Sequence, residues 1–307
     1  MILTPTRLAA ATDGFRAVFL RAFDGEQPDW HDFAMEVPSN AGTETYYFIT
    51  GIPGMKELVG EAKLEYLANA GYDIKNKEWE STVQVRRADI ERDALGLIRP
   101  KMAELGTVAA NHPRTLLAAL LNSSFTALDY TGTAFFSSAA KPYDLDDKSK
   151  GARTFTNKGT AALSAASFVV ARTKLKKVTD SKGNNLGLGR KLTLIVPPEL
   201  EEVAKKLQTG ENISVAGGST ETNTLRNSFE VKVINELSSA TAWFLVESGR
   251  EIKPFIVQME VKPEFIAADD PKSTHVLLQK KFLYQAYYRG NAGYAMSQLA
   301  YGSEGTT

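Results

Sequence analysis

Cysteine is absent from the 307-residue sequence. That excludes disulfide staples, thiolate zinc sites and cysteine nucleophiles. Histidine is nearly absent: His31, His112 and His275 stand far apart. A histidine-rich metal site is therefore not expected, although carboxylates alone could hold magnesium or calcium. No apolar run approaches the roughly 20 residues that span a bilayer. Residues Met1-Ile2-Leu3-Thr4-Pro5 lack a basic segment leading into an apolar core, so no secretory signal is read. The expected compartment is the cytoplasm of the producing cell. Excess charge is missing as well. The 36 Lys and Arg balance the 36 Asp and Glu, which argues against a protein whose main task is to grip nucleic acid by charge.

What is present is the composition of a folded protein. With 43% hydrophobic and 23% charged residues the chain lies outside the disordered class, and its length suits about two domains. Leu8, Ala11, Phe15, Val18, Phe19, Ala22 and Phe23 recur at helical steps, predicting an amphipathic helix over 6–23. Residues 24–45 contain Pro28, Pro38 and Gly42 and read as an extended arm or linker. Helix and arm together suit either an element that packs on a neighbouring subunit or an ordinary domain-starting helix. Tyr46 to Thr50 reads as a short strand, broken by Gly51, Pro53 and Gly54. From Glu78 to Arg86, Trp79, Ser81, Val83 and Val85 alternate with polar residues, as in a half-buried strand. Lys75 and Lys77 stand just before it. This strand belongs either to a projecting hairpin arm or to a sheet edge whose charges oppose aggregation.

Residues 89–128 read as helical, with Asp89 as a candidate N-cap. Leu95, Ile98, Met102, Leu105 and Ala109 form one stripe, continued by His112 and Leu116. Pro113 should kink or divide the helix. His112, alone on an apolar stripe, reads as structural. Residues 129–159 look like loop. Asp144, Asp146 and Asp147 within them lack the glycine and terminal glutamate of a calcium loop. A helix over 160–178 capped by Thr160, a turn at 180–185, a buried strand at 192–196 and a helix at 199–207 opened by Pro198 follow. Strands are expected at 229–234, 241–246, 255–261 and 276–288. The class is α+β: a helical N-terminal half carrying a long hairpin, then a mixed half with several strands.

Catalytic templates are missing. The sequence has no Gly-x-Ser-x-Gly elbow and no phosphate loop with Gly-Lys-Ser/Thr. Gly183 to Lys191 matches a phosphate loop only in glycine and base content, and it precedes a strand rather than a helix. No enzyme activity, catalytic residue, cofactor or metal is assigned. Residues 172–191 are basic, with Arg172, Lys174, Lys176, Lys177, Lys182, Arg190 and Lys191 against Asp180. They suit a polyanion or simply a solvated helix end and turn.

Several stretches resemble the major head subunit of Mu-like phages and prophages. They are Met1 to Pro5; Gly51-Ile52-Pro53-Gly54-Met55-Lys56-Glu57-Leu58-Val59-Gly60; Tyr72 to Glu80; Val85-Arg86-Arg87-Ala88-Asp89-Ile90-Glu91-Arg92-Asp93; Ala292-Gly293-Tyr294; and Gln298 to Ser303. Ala140-Lys141-Pro142 departs from the family's usual His-Pro. The resemblance implies the tailed-phage capsid fold of the Hong Kong 97 type. Its implied layout is an N-arm (1–45), an extended loop (46–88), a peripheral domain with a long spine helix (89–160), an axial domain (161–252) and returning peripheral strands (253–307). It further implies hexamers and pentamers in an icosahedral virion shell around double-stranded DNA read without sequence specificity. Scaffold or protease, portal and decoration proteins are the expected partners, with no membrane. Trp79, Lys75, Lys77, Phe15 and Phe19 become candidate contacts between subunits. Lys174, Lys176, Lys177, Lys182, Arg190 and Lys191 become candidates to face the polyanion. Self-catalysed cross-linking through Lys56, Lys63, Lys75 or Lys77, a cellular nanocompartment shell of the same fold, and a soluble metal-dependent enzyme using scattered carboxylates are the alternatives.

Overall fold

The computed structural model describes residues 4–26, 29–47, 71–92, 95–140, 154–179, 183–214 and 220–306. The chain begins with α1 (Pro5–Gly25), β1 (Ala34–Pro38), β2 (Thr43–Tyr47), β3 (Gly71–Lys75), β4 (Lys77–Arg86), α2 (Arg87–Glu91) and α3 (Leu95–Ser123). It continues through β5 (Lys158–Gly159), α4 (Ala165–Lys176), β6 (Leu192–Val196), α5 (Glu201–Thr209), β7 (Asn212–Ser214), β8 (Thr220–Thr222) and β9 (Glu230–Val233). It ends with β10 (Trp243–Glu247), β11 (Phe255–Ala268), α6 (Thr274–Gln279), β12 (Lys281–Tyr294) and β13 (Ala300–Ser303).

Two sheets organise these elements. The first has strand order β1-β11-β12-β4, and the second β5-β13-β10-β6-β9. Helices α1 and α3 cover the first sheet. Thr4 caps α1 by accepting from Arg7 N, and Pro5 fits its first turn. The stripe read in the sequence turns inward: Leu8, Phe15 and Phe19 join Ile98, Met102 and Leu105 of α3 and Phe282 and Tyr284 of β12 in one core. Gly106 allows this close approach, because a Cβ there would lie 2.5 Å from the Phe19 carbonyl oxygen. β11 is a long strand whose pairing shifts register around Pro263, which has no N–H to give to the ladder. In the second sheet β6 and β10 are buried throughout, as continuous apolar runs covered on both faces should be. Helices α4 and α5 pack against it through Phe168, Leu175, Ala204 and Leu207.

Four local expectations change. The stretch 276–288 is not all strand. Ser273 caps the short helix α6, and Lys280 ends it in the left-handed region at φ 57°. Val276 is buried in either conformation, so alternation alone could not separate the two. Helix α4 is capped by Ser164 in a reciprocal pair with Ser167, not by Thr160. Asp89 lies inside α2 rather than at its cap. Helix α3 passes through Pro100 and Pro113 without dividing. Side chains bond the carbonyls near Pro113, with Asn111 Nδ2 donating to Thr107 O at 3.0 Å and Thr115 Oγ1 to Asn111 O at 3.5 Å. The Asp144, Asp146 and Asp147 cluster lies outside the described residues.

Candidate assembly surface

β2 and β3 pair antiparallel, from Thr43 opposite Lys75 to Tyr47 opposite Gly71. They are the two ends of residues 48–70, which lie outside the described residues together with Lys56 and Lys63. A polar hub fixes this hairpin root to the first sheet. Gln258 of β11 is fully buried. Its Oε1 accepts from Tyr46 Oη at 2.8 Å, and its Nε2 donates to Asn76 Oδ1 at 2.6 Å. Asn76 Nδ2 in turn donates to Ala41 O at 2.8 Å and Ser39 Oγ at 2.9 Å. Glu44 Oε1 accepts from Asn40 N at 2.9 Å, Ser39 Oγ at 3.0 Å and Ala41 N at 3.2 Å. These bonds, Asn40 first, hold the Glu44 carboxyl below its usual range. Burial pushes the Tyr46 phenol up to about 12. Asn291 Nδ2 donates to Lys75 O at 2.8 Å. At Gly293 a Cβ would lie 2.4 Å from Ile74 Cδ1, so only glycine admits this packing. β2 and β3 are therefore both anchored on the body of the subunit.

β4 is the edge strand of the first sheet, paired with β12 from Lys77–Gly290 to Arg86–Lys281. Trp79, Ser81, Val83 and Val85 occupy its more buried face, as the alternation predicts. Of the two readings of this strand, the sheet edge is the one observed, and 77–86 is part of the subunit body. Trp79 is half-buried and anchors the strand within its own subunit. Its Nε1 donates to Gly290 O at 3.0 Å, and its ring centroid lies 4.7 Å from that of His112. Lys77 Nζ stands 5.9 Å over the same ring. Lys75 is exposed. Phe15 and Phe19 are also spent internally. Phe15 meets Tyr284 edge-on at 5.1 Å and Phe19 meets Phe265 at 5.4 Å, both fully buried. Replacing Trp79 with alanine should therefore destabilise the isolated subunit by roughly 2–4 kcal/mol, from lost ring packing and an orphaned carbonyl. Chemical denaturation of the subunit would measure this; unchanged stability would contradict the anchoring.

His112 lies half-buried between Trp79 and Tyr288, and its Nε2 has no hydrogen-bond partner among the described residues. Burial lowers its pKa below 6.5. The folded state thus holds the neutral ring, and the unfolded chain binds the extra proton as pH falls below the ordinary histidine value. Stability should fall as pH drops from neutrality through that value, and His112→Phe should flatten this part of the profile. Parallel profiles for both proteins would refute the assignment.

Two residues of the basic stretch, Lys174 and Lys191, contact the second sheet. Lys174 and Lys176 sit in the last turn of α4, where cations favour the helix dipole. Lys174 Nζ lies 5.2 Å from the Tyr301 ring, and Lys191 Nζ lies 3.7 Å from Glu230. Lys177 and Arg190 are exposed, and Lys182 lies outside the described residues. The glycine-rich turn does form an N–H cradle, but the chain fills it itself. Glu247 accepts from the backbone N–H groups of Gly189 (2.5 Å), Arg190 (3.2 Å), Lys191 (3.3 Å) and Gly249 (3.1 Å). Gly189 takes φ +83° beneath the Lys176 stem. Glu247 went unread in the sequence. Its signal is a lone carboxylate closing the apolar strand Trp243 to Val246.

Among the described residues no group of three or more His, Asp or Glu side chains could hold a metal ion, and no helix is long and apolar enough to cross a membrane.

Known proteins give this geometry its context. The sequence matches the family described as Mu-like prophage major head subunit gpT over residues 8–161, 154–237 and 232–307. It is 25% identical to the major capsid protein of Escherichia phage Mu across 99% of this chain and 76% of that protein. It is 24% identical to the Mu-like prophage FluMu major head subunit of Haemophilus influenzae across 99% of this chain and 75% of that one. Among solved structures, the procapsid of bacteriophage JBD30 superposes with a TM-score of 0.64 at 25% identity, covering 98% of this chain and 76% of its own. The fold is that of tailed-phage capsid subunits, and the protein is a capsid component of the virion. With nearly its whole length matched, the chain belongs to the Mu-like prophage major head subunit gpT family.

Proposed function

We propose that copies of this chain close into hexamers and pentamers of an icosahedral head that encloses double-stranded DNA without reading its sequence. Its mechanism is assembly rather than turnover. The observation that carries this reading is the anchored hairpin root. Gln258, Asn76, Ser39 and Tyr46 tie the paired strands β2 and β3 to the first sheet, which supports a hairpin root braced to bear a contact with an adjoining subunit. The balanced charge of 36 against 36 supports close tiling of like copies and a tolerant inner wall. In this layout α1 belongs to the N-arm, α3 to the peripheral domain, and α4, α5, β6, β9 and β10 to the axial domain. Lys174, Lys176, Lys177, Lys182, Arg190 and Lys191 are the basic residues proposed to meet DNA. Scaffold or protease, portal and decoration proteins complete the head. The family match favours this reading over a cellular nanocompartment.

Nuclease treatment of purified particles tests it. Particles built from this chain should protect double-stranded DNA. Particles that protect only protein cargo would support the nanocompartment instead.

A further inference from the structure

Two surfaces of this electrically neutral subunit carry opposite charge beside apolar surface. One lies where α3 begins. Leu97 is 76% exposed, and Leu277 and Leu278 of α6 are 53% and 79% exposed. Their chain neighbours Ile98 and Val276 pack in one core cluster, and Arg87 N bonds Lys280 O at 2.9 Å, so the three leucines crown the same end of the subunit. Around them Arg86, Arg92, Arg99 and Lys280 are exposed and have no ion pair among the described residues. Asp269 is engaged by Thr12, and Glu91 by Arg87 at 2.9 Å. Asp89 of α2 and the exposed Asp270 just before α6 lie on the same segments, so four cations face two carboxylates and the end is net basic with an apolar crown.

The other surface is a groove of about 270 Å³ where α1 ends. Its floor is apolar, made of Phe23, Trp30, Met259, Pro113 and Pro263. Its rim carries Asp24, Glu26, Asp29 and Glu36. Lys262 answers Glu36 at 3.1 Å, which leaves three carboxylates without an ion pair among the described residues. The Trp30 indole N–H, in a side chain only 3% exposed, also lacks an acceptor there. Crown and groove cannot satisfy each other within one subunit. Leu97 and Ala110, which lines the groove, are separated by about 20 Å along α3 at 1.5 Å per residue.

We propose that the leucine crown of one copy seats in the acidic groove of the next, making a head-to-tail contact between subunits. The occupant is a second copy because both halves of the complementary pair belong to this chain: apolar crown to apolar floor, cations to carboxylates. The two patches differ, so the contact is heterologous, the kind that generates rings or repeating lattices rather than isolated pairs. The inference rests on the capsid reading and specifies where copies meet.

The natural absence of cysteine gives a clean test. The double variant Leu278→Cys with Glu26→Cys, mildly oxidised and run on a non-reducing denaturing gel, should give a ladder beyond the dimer. Each single variant should stop at monomer, with at most a trace of dimer. A control pairing Glu26→Cys with Leu128→Cys, on an exposed residue away from the crown, should give no ladder. Charge reversal supplies a second measurement. Arg92→Glu with Arg99→Glu, or Asp24→Lys with Asp29→Lys, should each cut particle yield by roughly 10-fold or more, and combining both sets in one chain should restore most of it. Absence of the disulfide ladder, or charge reversals that leave assembly unchanged, would overturn this contact even if shells form. Failure of the unmodified chain to form shells would instead count against the capsid reading, while the ladder would still judge the contact.

Discussion

Glu247→Ala is expected to lower the melting temperature of the subunit by about 10 °C, a loss of roughly 3–5 kcal/mol. The carboxylate is buried and satisfies four backbone N–H groups where the glycine turn enters β6 and where β10 leaves the sheet. Alanine would orphan the buried Gly189 donor and leave the part-buried donors of Arg190, Lys191 and Gly249 to water at the edge of the second sheet, and an orphaned buried donor costs about 1–3 kcal/mol. Glu247→Gln should fall between, because the amide keeps one acceptor but points an N–H₂ at the cradle. Differential scanning calorimetry of the three proteins would rank them. An alanine variant as stable as the parent would show that the turn holds itself and that Glu247 is incidental.

Gln258→Leu should separate folding from assembly. The side chain keeps its volume, so the sheet core is conserved. Tyr46 Oη loses its acceptor and Asn76 loses the donor that fixes it. The hairpin root, not the sheet, bears the defect. Stability should fall by roughly 2–3 kcal/mol for the orphaned groups, while particle yield should fall by about 10-fold or more. Gradient sedimentation beside thermal melts would show both. Normal particle yield at a lowered melting temperature would mean that the root need not be held for copies to join.

Much of this architecture is legible in the sequence, where one face of an element is buried and the other wet. The stripes of α1 and α3 and the alternation of β4 fall on observed core faces, because helical and strand periods leave direct marks on burial. What stays hidden depends on distant partners. Residues 46–50 and 78–86 read as strands without revealing their partners: β2 pairs with β3, and β4 pairs with β12 some two hundred residues away. Only Asn76 separates β3 from β4, and no local signal marks that the ladder changes partner there. Trp79 shows the same limit: its contact with His112 of α3 has no local signal in the strand. Of the two polar residues that organise the molecule, Gln258 interrupts an apolar strand and Glu247 closes one. Such positions ordinarily mark an exposed edge, and here they mark buried hubs because backbone donors converge on them.

Electron microscopy of the protein purified from cells that also carry the other head genes tests the central claim most directly. Copies that tile on one another should yield closed shells of uniform diameter with fivefold vertices set among sixfold lattice. A chain that instead remains a 33.5 kDa monomer at high concentration beside those partners would contradict the account.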